Sequence, residues 1–247
     1  MPEELLRAAD PVALPHLGRI GRLWAAVLDV ADQRPHGWTL IGALMVMLHE
    51  HEAGTPTRPA TADADAVVDA RGATDATRTM ATLLQDQGWE LDTAHVDSGG
   101  HGYKFVREGL EFDVIAPEGM GERADLTTVP PLRAPQLAGT RQALDRTQQV
   151  LVDLDGRVAA IPRPDLLGAL VVKACAASGD HVRGPQRHLE DLARLYRLVS
   201  DPAALTPTNK DLKRLRVTAE PIWEVLEDPA DRAAGQAARR LLATPPG

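Results

Sequence analysis

The sequence predicts an α+β fold, a mixed β-sheet flanked by helices and followed by a helical C-terminal region. Three observations predict it. Over residues 1–135, short apolar runs of strand length alternate with longer runs of helical spacing. The proline-rich stretch TVPPLRAPQL, residues 128–137, interrupts the pattern and is the expected boundary. After Pro164 the apolar residues recur at helical spacing almost to the end. The expected organisation is an α/β core over 1–135 and a mainly helical region over 136–247 that completes the site.

The elements follow in order. Ile20, Leu23, Trp24, Val27 and Leu28 lie on one face of a helix over 17–33, which RPHG ends. Residues 38–41 (WTLI) suit a strand, Gly42-Ala43 a junction, and 44–52 a Leu/Met-rich helix. EAGTPTRPAT reads as a loop, 63–69 as a strand, and 74–87 as a helix. A strand is expected over 89–95, a flexible turn at DSGGHG, and a hairpin of strands 103–107 and 111–116 around Glu108-Gly109. Strands 149–154 and 157–161 flank a turn at Asp155-Gly156. Helices are expected over 165–177, 186–199, 208–216, 218–227 and 229–242.

Composition narrows the function classes. The 247 residues are 44% hydrophobic and 25% charged, ordinary for a soluble globular protein, but only 3% aromatic, so Leu, Val and Ala must build the core. Cys175 is the single cysteine, which rules out an internal disulfide or a thiolate zinc site. No apolar run reaches the roughly 18 residues needed to span a membrane. The acidic start MPEELLRAADP lacks the apolar stretch of a signal peptide, so the cytoplasm is the expected compartment. Residues 1–150 hold 13 Lys and Arg against 22 Asp and Glu. That argues against a broad nucleic-acid footprint over the front half. Any RNA contact falls to Arg183, Arg187, Arg194, Arg197, Lys210, Lys213, Arg214 and Arg216, which serve equally well as solvated helix faces.

The most informative segment is RPATADADAVVD, residues 58–69. On a strand Asp63 and Asp65 project to one face while Ala64 points away. Two charges about 5 Å apart repel by roughly 3 kcal/mol at an effective dielectric near 20. Such a pair calls for a cation between the carboxylates, or for one of them to stay protonated. The other D-x-D, at Asp153 and Asp155, abuts Gly156 and reads as a hairpin turn. Asp113, in EFDVI, either faces solvent on an alternating strand or joins the first pair. Lys173 lies in the apolar run LLGALVVKA and needs a partner: Asp191 as a structural salt bridge, a nucleotide triphosphate, or both. Gly42 opens a helix whose free N–H groups suit phosphate, and Arg58 is placed to meet a phosphate oxygen. His49 and His51 lack the i, i+4 spacing of a zinc helix, and His101 in the GGHG turn is a weaker substrate contact.

Gly42-Ala43 opening a helix, Arg58 and Thr61 before Asp63 and Asp65, Asp113 on a later apolar strand, Lys173 on a helix after a proline, and the EDLARL segment around Asp191 come in a recognisable order. Over roughly residues 38–200 this resembles the minimal nucleotidyltransferases of the polymerase-β-like superfamily. It is most similar to the abortive-infection-type toxins of toxin–antitoxin systems. The resemblance implies a nucleotidyltransferase-like sheet and an Mg²⁺- or Mn²⁺-dependent transfer of NMP from an NTP to an RNA (tRNA) or protein hydroxyl. It implies Asp63, Asp65 and Asp113 as metal ligands, Gly42, Ala43, Arg58 and Lys173 as nucleotide contacts, and Asp191 as support for the site. It also implies a cognate antitoxin as partner. Ala43 stands where the family usually has Ser or Gly, so a catalytically silent nucleotide- or protein-binding module is the alternative reading. Two metals held by three acids suit nucleotidyl transfer, which gathers negative charge at one phosphorus.

Overall fold

The computed structural model describes residues 10–55, 61, 63–179, 185–226 and 231–243. Among these the architecture is α+β, as the sequence predicts. A central sheet has the strand order β2 (Trp38–Ile41), β3 (Asp63–Val68), β6 (Leu110–Pro117), β5 (Lys104–Arg107), β4 (Glu90–Leu91), with β7 (Gln136–Leu137) also paired to β6. The β3–β6 pair is parallel, whereas β2–β3, β5–β6 and β4–β5 are antiparallel. A second, three-stranded sheet joins β1 (Val12–Ala13) to the hairpin β8 (Thr147–Leu154) and β9 (Arg157–Pro164).

Helices α1 (Gly18–Gln33), α2 (Gly42–Glu52) and α3 (Ala76–Asp86) accompany the front strands, and α4 (Thr140–Asp145) precedes β8. Five more follow β9: α5 (Leu166–Ala177), α6 (Pro185–Arg197), α7 (Asn209–Arg216), α8 (Ala219–Val225) and α9 (Arg232–Ala243). Helix α1 buries Ile20, Leu23, Trp24, Val27 and Leu28, the face its spacing predicts, and packs on β9. One core cluster runs from Leu14 to Leu241, so strands and C-terminal helices share a single interior. Three of the few aromatics meet in the central sheet. Phe105 and Phe112 are cross-strand partners, and Trp89 meets Phe112 edge-on with ring centroids 5.8 Å apart.

Several elements depart from the sequence reading, each for a local reason. The strand expected over 89–95 shrinks to Glu90–Leu91, because Asp92 accepts a hydrogen bond from the Ala94 N–H (3.0 Å) and turns the chain into a short 3-10 segment, Thr93–His95. Helix α2 starts at Gly42 itself, α4 and β1 had no expected counterpart, and β9 continues to Pro164. The D-x-D at 153–155 is a hairpin turn as expected. Asp155 and Gly156 both have positive φ, and Asp153 Oδ1 accepts from the Gly156 N–H at 2.7 Å. No helix among the described residues is long and apolar enough to cross a membrane.

The β9 end is tied to α2 by two polar contacts. Arg163 grips Glu52 through Nε–Oε2 at 2.8 Å and Nη2–Oε1 at 2.7 Å. The buried His49 ring meets the Pro164 carbonyl at 3.1 Å through Nε2, as a neutral imidazole donor. Burial, reinforced by the Arg163 charge, pulls the His49 pKa down to about 3 from 6.5. His49 is therefore structural, in keeping with its poor metal-ligand spacing. Between these two pH values the unfolded chain binds the proton and the folded protein does not. Stability is full above about pH 6.5 and falls as pH drops toward about 3, by a few kcal/mol in all. His49→Gln keeps the donor but removes the titration. Denaturant unfolding at a series of pH values is expected to show a shallower loss for His49→Gln than for the wild type across that window.

Candidate functional site

The site begins with the parallel register of β3 on β6. It sets Asp65 opposite Asp113, and Asp63 opposite Glu111. Ala64 is fully buried while Asp63 and Asp65 are only partly so, which confirms that the two acids share a face. Asp113 is 8% exposed and turns toward the acids, not toward solvent. Its Oδ1 is buried without a hydrogen-bond partner. Burial, then repulsion by the Asp113 and Asp63 charges, raises the Asp65 carboxyl well above the usual range. Asp113 is raised as well, by burial first, against the opposing pull of Lys104. Asp63 moves the other way: burial is outweighed by the Thr61 hydroxyl and Arg187, and the carboxylate stays charged.

Gly42 fits against this pair by necessity. Ile41 is the register partner of Asp65, and Gly42 follows at φ +71. A Cβ on Gly42 would lie 1.8 Å from Asp65 Oδ2. Helix α2 has no side-chain cap at this end, so its first N–H groups are left for another acceptor. Gly42, Ala43, Asp63, Asp65, Lys173 and His188 line one cleft of about 140 Å³, together with Ile41, Ile115, Leu137, Val172, Ala176 and Arg187. Of the sequence-predicted site residues, Gly42, Ala43, Asp63, Asp65 and Lys173 line this cleft, Asp113 lies beside Asp65 and Asp191 behind Lys173, while Arg58 lies outside the described residues.

Lys173 has the structural partner. Its Nζ donates to Asp191 Oδ2 at 2.6 Å, with the two residues only 4% and 5% exposed. The other Asp191 oxygen receives Arg194 Nη1 at 3.1 Å, and Arg194 Nε reaches Glu50 Oε1 at 2.8 Å. Asp191 therefore holds Lys173 at the cleft wall from behind. Several of the other residues weighed as RNA contacts pair with acids of the protein. Arg197 pairs with Asp231, and Arg214 and Lys210 with Glu118. Arg187 is exposed, 3.5 Å from Asp63, while Arg183 lies outside the described residues. His101 sits apart, bonded through Nδ1 to Asp97 at 2.8 Å.

Sequence reasoning missed Lys104. Its ammonium bonds Glu111 and stands 3.2 Å from Asp113 Oδ1. The signal was present: a two-residue turn at Glu108-Gly109 makes Lys104 the partner of Asp113 by counting. With Lys104 against Asp113 and Arg187 against Asp63, no group of three His, Cys, Asp or Glu side chains among the described residues stands in a metal-ligating arrangement.

No family model matches the chain, and no curated protein matches it. A similar solved structure is that of an antigenic nucleotidyltransferase-like protein from Paracoccidioides brasiliensis. It is 17% identical, has a TM-score of 0.47, and the match covers 86% of this chain and 91% of that one.

Two outcomes follow from the contacts. Gly42→Ala is expected to lower the unfolding free energy by about 2 kcal/mol or more, since it adds left-handed strain to the clash with Asp65. In an Asp65→Ala background only the backbone cost, about 1 kcal/mol, should remain. A double-mutant cycle in denaturant reads the difference. Lys173→Met strands part of the buried Asp191 charge and is expected to cost about 3 kcal/mol, and Lys173→Met/Asp191→Leu less than the sum of its parts.

Proposed function

We propose that the chain is a divalent-metal-dependent nucleotidyltransferase that moves NMP from an NTP to a hydroxyl of RNA, such as a tRNA end, or of a protein. The single observation that carries this reading is the register of Asp65 beside Asp113, with Asp63 on the same face of the cleft. Asp65 and Asp113, register neighbours of which Asp113 has a buried oxygen lacking any hydrogen bond, are donors of the kind Mg²⁺ or Mn²⁺ takes once Lys104 and Arg187 turn aside. Asp63, Asp65 and Asp113 would hold the metal, which on binding would neutralise phosphate charge and make the acceptor hydroxyl a better nucleophile.

The chain's own residues do the positioning. The uncapped N-terminus of α2 at Gly42-Ala43 offers N–H groups to the nucleotide phosphates. Lys173, fixed by Asp191, places a positive charge at the cleft wall beside them. Arg187, exposed at the rim, is placed for an acceptor's phosphates. By its resemblance to abortive-infection-type toxins, the protein acts as the toxin of a pair held in check by a separate antitoxin.

A second reading is favoured by Ala43, which offers no hydroxyl, and by the hold of Lys104 on Asp113. In it, the site binds a nucleotide without transferring it.

Labelled NTPs incubated with the protein, Mg²⁺ or Mn²⁺, and bulk RNA or lysate should give labelled acceptor. Asp65→Asn should reduce the rate by roughly two to three orders of magnitude. Equal absence of label from wild type and variant with either metal would sink the transfer reading. NTP binding by calorimetry in that case would select the silent one.

A further inference from the structure

Lys104 is the least expected group at the site. It projects from β5 directly opposite Asp113. Its ammonium lies between two carboxylates of one strand face: Glu111, which it hydrogen-bonds, and Asp113, whose oxygens are 3.2 and 3.5 Å away. The contact to Asp113 Oδ1 is an ion pair without hydrogen-bond alignment, since that oxygen has no hydrogen-bond partner. The two carboxylates differ in setting. The Asp113 side chain is 12% exposed and faces Asp65, whereas that of Glu111 is 40% exposed at the rim. Residues i and i+2 of a strand are about 6–7 Å apart, a span that a four-carbon lysine stem covers by rotation alone.

We propose that Lys104 is the site's built-in counter-cation: its ammonium holds Asp113 in the metal-free protein and withdraws onto Glu111 when a divalent cation takes the carboxylates. This rests on the metal-site reading above and adds a residue that sets the metal affinity. Three acids on one face repel, and without a resident cation the metal-free protein would have to hold them apart or protonate them. A divalent ion arriving at Asp113 meets the ammonium as a like charge, so one must leave. Glu111 is the place to go. It already makes the closer contact, and it is open to water.

The test is Mn²⁺ titration of the full chain, followed by electron paramagnetic resonance of the free ion. Lys104→Met should tighten Mn²⁺ binding about tenfold or more, because a like charge is removed. Glu111→Gln should weaken binding severalfold, because the ammonium then leans on Asp113 alone. In the Lys104→Met background Glu111→Gln should do nothing. Unchanged or weaker binding by Lys104→Met overturns the proposal. So does a Glu111→Gln loss that persists in the double variant, which would make Glu111 a ligand. Should Lys104→Met fail to fold, Glu111→Gln alone decides, and unchanged affinity there overturns it. Wild-type binding that Asp65→Asn abolishes, with Lys104→Met no tighter, rejects the role of Lys104 but keeps the metal site. Absence of Mn²⁺ binding by wild type and Lys104→Met alike rejects both.

Discussion

The parallel pairing of β3 with β6 is the constraint on which the rest depends. It is the step that puts Asp65 beside Asp113. Every unusual feature nearby answers the charge it gathers. Gly42 carries no side chain because Asp65 Oδ2 occupies the space a Cβ would take. Lys104 and Arg187 bring positive charge to the two flanks, at Asp113 and Asp63. Lys173 adds a third cation at the cleft wall. A sheet built only for stability would place Val or Ile at these positions, as it does at Val67 and Ile115 two residues further along the same pair.

The cations are themselves held, and their holders reach across the fold. Lys173 belongs to α5, Asp191 and Arg194 to α6, and Glu50 to α2. This buried chain ties the C-terminal helices to the helix that opens at Gly42. Buried ion pairs return little net stability, since desolvation offsets attraction. Their value here is in direction: Asp191 fixes where the Lys173 ammonium sits, and Arg194 fixes Asp191. The cleft is consequently a joint product of β3, β6 and α2 from the first part of the chain and α5 and α6 from the second.

The sequence is legible where the physics is local. The face of α1, the split of Asp63 and Asp65 from Ala64, and the Asp155-Gly156 turn all depend on residues close in sequence. The strand over 89–95 failed for the same kind of reason, because an Asp92 side chain offered the backbone a nearer partner than the sheet did. The β3–β6 pairing is different. Parallel strands separated by some forty residues carry no register mark of their own, so the convergence of Asp113 with Asp65 is set by the sheet and not by any local signal. Lys104 lay between these cases. Its position opposite Asp113 was fixed by the turn at Glu108-Gly109, yet it acquires meaning only once Asp113 is known to face the acids.

Asp63 and Asp65 are neighbours on one strand face, yet their environments push them in opposite directions. Asp63 keeps its charge through Thr61 and Arg187, while Asp65 has only the more distant Lys173 and Lys104 against burial and two carboxylates. Of the two, Asp63 is the carboxylate whose charge its surroundings favour, and Asp65 the one whose charge they oppose. Under the metal-binding reading proposed above, a divalent ion beside Asp65 and Asp113 would favour their charged forms and offset the repulsion between them. The β3–β6 register thus gathers negative charge at one place, and the surrounding cations Lys104, Lys173 and Arg187 answer it.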